Sequence, residues 1–136
     1  LEAVPGEPLR LSARVRGLAV AALGDRHEDV RFNAAILLAG AGDGATALPT
    51  LKKMIDRRHL ETFDFDKKLE GADRQKIHSN LIRAAIEAVA ALRVGEDAEV
   101  LAALERLSDD ATEWDSDVRE RARAALRKLK APAKAN

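Results

Sequence analysis

The sequence predicts an all-α fold: an α-solenoid of about three antiparallel helical pairs, six helices in all. Three observations carry this expectation. The 136-residue chain is 46% apolar but only 3% aromatic and has no tyrosine, so alanine, leucine, valine and isoleucine must build the core. That mixture suits helices better than strands. Apolar residues recur at spacings of three and four between glycine or aspartate punctuation. A motif of acidic turn, Val-Arg and then alanines occurs near the start of the chain and again near its end.

The elements follow in order. Pro8 suits a first helical turn, and Leu11, Val15, Leu18, Ala22 and Leu23 continue at helical spacing to a stop at Gly24. Asp29 can cap a second helix with the stripe Val30, Ala34, Leu37 and Leu38, ended by the glycines at 40 and 42. Asp43 can cap a third, from Gly44 to about Arg57, with Ala47, Leu48, Leu51, Met54 and Ile55 as its apolar side. From Asp73 a long helix runs through Ile77, Leu81, Ala85, Ile86, Val89 and Leu92 to Gly95. Asp97 opens a fifth, carrying Val100, Leu101, Leu104 and Leu107. Asp115 or Ser116 opens the last, with Val118, Ala122, Ala125, Leu126 and Leu129, and Pro132 ends it.

Repetition joins these helices into pairs. "DRHEDVRFNAAILL" from Asp25 and "EWDSDVRERARAAL" around Asp117 share the acidic cluster, the Val-Arg step and the alanines behind it. "NLIRAAIEAVAAL" from Asn80 keeps the apolar-Arg-alanine theme at Ile82-Arg83 without the acids. Ile82 to Val118 is 36 residues and Val30 to Ile82 is 52, so the middle repeat holds an insert of about residues 57–75. The expected layout is a lead-in over 1–8 and one repeat domain over 9–130. Its pairs fall at about 9–40, 44–94 and 97–130, and a disordered tail covers 131–136.

Over residues 9 to 130 this pattern resembles a tandem of HEAT repeats, of the short bacterial kind also seen in bilin lyases. The acidic turn leading into Val-Arg carries the resemblance, together with the proline inside "ALPTLKKMI". The resemblance implies a superhelix whose turn acids and arginines form an inter-repeat ladder, here Asp25, Arg31, Asp115 and Arg119. The middle repeat departs from it, with Ile77, Ser79 and Leu81 where acids are expected, which leaves Arg83 without a ladder partner inside its own repeat. Small residues such as Ala34, Ala35, Ala85 and Ala125 allow close helix approach, and each pair buries its apolar face on the next. Pro49 removes one helical hydrogen bond and should bend its helix around the stack, giving a concave face formed by the second helix of each pair.

Charge and composition narrow the function. Lys plus Arg equals Asp plus Glu at 23 each, so no global field attracts nucleic acid or anionic lipid. The absence of cysteine excludes disulfides, thiolate metal sites and a cysteine nucleophile. No apolar run is long enough to span a membrane. The chain starts at Leu1, which suggests a piece of a longer or processed polypeptide whose targeting segment is missing. The compartment is therefore open, with the cytoplasm as the default.

No chemistry stands out. His27-Glu28 matches the His-Glu pairs that serve as iron ligands in a hydroxylase built on similar repeats, but it occurs once and reads as a solvated turn. "DFDKKLEG", Asp64 to Gly71, begins like a calcium loop but lacks its third acid and central glycine. No phosphate-binding loop or nucleophilic triad is present, so the chain reads as a non-enzyme with no cofactor, metal or small-molecule ligand. Arg119, Arg121, Arg123, Arg127, Lys128 and Lys130 make nucleic-acid binding the alternative function, although acids at the start of that helix and bases toward its end are what the helix dipole favours. Trp114 is expected to anchor the turn onto the following helix. The leading expectation is a scaffold that binds a protein partner, or another domain of its own chain, on the concave face and the insert loop. Phe63 and Phe65 in the insert, and Arg83, are the candidate contacts.

Overall fold

The structure, a computed structural model, describes residues 11–62, 72–92 and 97–130. Its elements are all helical: α1 (Ala13–Ala22), α2 (Glu28–Gly40), α3 (Gly44–Met54), α4 (Arg57–Glu61), α5 (Ala72–Ala91), α6 (Ala98–Ser108) and α7 (Ser116–Lys130). The all-α expectation holds, with seven helices among the described residues where six were expected.

Local chemistry sets most boundaries. The first helix is capped by Ser12, whose hydroxyl accepts from the Val15 amide at 3.2 Å; Pro8 lies outside the described residues. Helix α2 starts one residue before the expected cap, so Asp29 sits in its first turn, where a negative charge favours the helix dipole. Its end is a Schellman turn. Gly42 takes a φ of 84°, the Gly42 amide donates to the Ala39 carbonyl at 3.1 Å, and the Asp43 amide donates to Leu38 at 2.9 Å. Asp97 and Asp115 cap α6 and α7 as expected, each accepting two backbone amides at 3.0–3.3 Å.

Two expectations need correction. The third helix stops at Met54, short of Arg57, because Asp56 caps a new helix: its carboxylate accepts the Arg58 and His59 amides at 3.1 and 3.3 Å. That short helix is the seventh, and it lies within the segment read as an insert, with Leu60 fully buried. The stripe assigned to the first helix is also only half right. Its Val15 and Leu18 are 41% and 63% exposed, whereas its Leu23 packs against the core together with Ala19, which the stripe did not include.

Neighbours in the chain touch at α1 on α2, α2 on α3, α3 on α4, α4 on α5 and α6 on α7, and α3 also packs on α5. A second row runs α2 on α5 and α5 on α7, and α3 also meets α6. One continuous core extends from Ala19 to Leu129, centred on Phe32, Leu38, Leu51, Ile82, Ile86 and Leu104. Gly44 marks a close approach: a Cβ there would lie 1.9 Å from a methyl of Leu92. Lys52 ties α3 to the start of α6 through a 2.8 Å pair with Asp97, which raises the lysine pKa and lowers that of the aspartate.

Candidate interaction site

The sequence motif places its two Val-Arg arginines in the same local geometry. Arg31 donates to the Asp25 carbonyl and Arg119 to the Glu113 carbonyl, each at 2.7 Å and each six residues back along the chain. Both therefore stitch their own turn. The carboxylate of Asp25 instead accepts the His27 amide and contacts its ring nitrogen Nδ1, both at 2.9 Å, and the His27 amide leads the causes that lower its pKa. Arg119 adds a 2.9 Å pair with Asp110.

A charged rung between α5 and the start of α7 is made by Arg83. Arg83 reaches Asp117 at 2.6 Å and Asp115 at 3.0 Å, and also holds Asn80 at 2.8 Å. Its guanidinium is thus engaged by α7 and its turn, so Arg83 has a partner within the chain. Arg83 leads the causes that hold the Asp117 carboxyl below its usual value, followed by Arg121. Burial pushes Asp115 up, but the Val118 amide, the Ser79 hydroxyl and Arg83 outweigh it and leave the carboxyl lowered.

Beneath this rung lies a pair the motif did not reveal. Arg57 clasps Glu113 with two hydrogen bonds, 2.6 and 2.7 Å, and bonds the Ser79 hydroxyl at 3.0 Å. The Glu113 side chain is 1% exposed and that of Arg57 10%. Glu113 also accepts the Asp115 amide at 3.0 Å, so both its oxygens are used. Trp114 lies against the Arg57 guanidinium, 4.9 Å from ring centroid to carbon, and is 56% exposed. The ring covers the Arg57 charge with more than half of its surface exposed. Ser79 joins the two arginine centres, accepting from Arg57 and bonding Asp115.

The α7 bases are largely matched by acids. Arg121 pairs with Glu87 and Asp117, Arg123 with Asp110, and Lys130 with Glu105, at 2.5 to 3.3 Å. Arg127 approaches Glu120 at 3.8 Å. Pairing of this kind leaves little unopposed positive charge for a phosphate backbone. Between α5 and α7 runs a groove of about 240 Å³, floored by Ile86, Ala90, Ala124 and Ala125 and edged by Glu87, Arg121 and Lys128.

Phe63 and Phe65 lie outside the described residues, as do Asp64 to Gly71 and the 131–136 tail. Among the described residues no three His, Asp or Glu side chains gather into a possible metal site, and no helix is long and apolar enough to cross a membrane. Neither protein-family models, curated proteins nor solved structures show any match to this chain.

Proposed function

We propose that the chain is a non-enzymatic helical-repeat scaffold, an α-solenoid of HEAT-like pairs, that binds a protein partner. The observation that carries this reading is the row α2, α5, α7, in which each second helix rests on the next and leaves the α5/α7 groove open. Small residues on its floor let an incoming segment approach the helix backbones, and Glu87, Arg121 and Lys128 supply polar edges. The Phe63/Phe65 segment stays in the proposal as a second contact.

Site-specific photo-crosslinking tests the groove directly. A benzophenone side chain at Ala124, exposed on α7, is compared with one at Ala102, exposed on α6. A defined protein crosslinked from position 124 and not from 102 supports the reading. The same products from both positions, or none from 124, reject it.

A further inference from the structure

We propose a second site, independent of the α5/α7 groove: a cavity of about 300 Å³ between the α3–α4 corner and the α6–α7 turn that receives one carboxylate of an acidic linear peptide. Three arginines, Arg57, Arg58 and Arg106, and two acids, Asp56 and Glu113, are among its lining residues. Both acids are engaged. Asp56 caps α4, and Glu113 is held by Arg57 and the Asp115 amide. Arg58 and Arg106 make no ion pair among the described residues, and both are exposed. The cavity therefore carries one surplus positive charge, which matches a single carboxylate better than a phosphate dianion.

The rest of its lining, Thr112 apart, is apolar, from Ile55, Ala103, Leu107 and Ala111, so the acid should arrive with an aliphatic neighbour. Trp114 adds a platform beside it. The ring already covers Arg57, itself part of the cavity lining, and more than half of its surface faces solvent. An exposed tryptophan beside a small charged cavity is the arrangement that anchors peptide segments.

Trp114 is the sole tryptophan and tyrosine is absent, so intrinsic fluorescence reports from this site alone. The probes are Ac-Leu-Asp-Leu-NH2, its neutral isostere Ac-Leu-Asn-Leu-NH2, and inorganic phosphate. We expect a saturable change with the Asp peptide, with a Kd on the order of 1 mM. The Asn peptide and phosphate should leave the signal unchanged. The double variant Arg58→Ala/Arg106→Ala should lose about tenfold or more in affinity, and because both side chains are exposed its circular dichroism should be unaltered. An equal response to the Asn peptide, a response to phosphate, no response to the Asp peptide, or full binding by a folded double variant would each overturn the proposal. Failure of crosslinking at Ala124 bears on the groove and leaves this site standing.

Discussion

Arg57 and Glu113 stand 56 residues apart in the chain, yet they share two hydrogen bonds of 2.6 and 2.7 Å with the acid almost wholly out of water. The pair joins the start of α4 to the turn before α7. A carboxylate buried this deeply survives only because its partner and the Asp115 amide replace its hydration.

Removing one partner should therefore cost far more than removing both. Arg57→Ala is expected to lower unfolding free energy by about 3–5 kcal/mol, because the Glu113 charge is left uncompensated. Arg57→Met/Glu113→Leu should recover most of that loss. Urea unfolding followed by circular dichroism measures both, and a double variant no more stable than Arg57→Ala would contradict the account.

Arg83→Ala should act on stability and not on partner capture. Losing the rung to Asp115 is expected to cost about 1 kcal/mol, the range of partly exposed ion pairs. Arg83→Lys should restore only part of it, since a lysine cannot span both carboxylates and Asn80. Unchanged urea midpoints for both variants would show that the rung contributes nothing.

The same Gly→Ala change should have opposite signs at two positions. At Gly44 the new methyl meets Leu92, and overpacking should cost about 1–3 kcal/mol, partly relieved in a Leu92→Ala background. At Gly17, inside α1 with nothing within 4 Å, it should stabilise by about 0.5–1 kcal/mol through helix propensity. Thermal melts of the two single variants decide the matter.

His78 should make the fold acid-sensitive. It is 2% exposed, and burial, followed by the nearby charges of Arg74 and Arg57, lowers its pKa below 6.5, with Glu61 opposing. The unfolded chain then binds a proton more readily than the native one, so this contribution is intact above about pH 6.5 and declines as pH falls toward the lowered folded value. In His78→Gln that part of the slope should vanish. A stability profile between pH 7 and 5 as steep as that of the unsubstituted protein would assign the sensitivity elsewhere.

What the sequence determined by itself is the local layer. The caps at Asp97 and Asp115 and the glycine-ended turn at Gly42 are interactions between near neighbours, set by residue type and spacing. The short helix α4 had a readable signal too, Asp56 followed by the apolar Leu60, but the length of the surrounding segment made it pass for a loop. Only the tertiary structure decided which face of α1 is buried: Val15, Leu18 and Leu23 fit a helical stripe, yet packing on α2 leaves Val15 and Leu18 exposed and buries Ala19 beside Leu23. It also decided the arginines. Arg31 and Arg119 find a carbonyl within their own turn, whereas Arg83 and Arg57 meet acids 32 to 56 residues away. Backbone spacing can specify the first kind of bond, but the second exists only once packing brings α4 and α5 to α7 and its turn, and with them charges far apart in the chain.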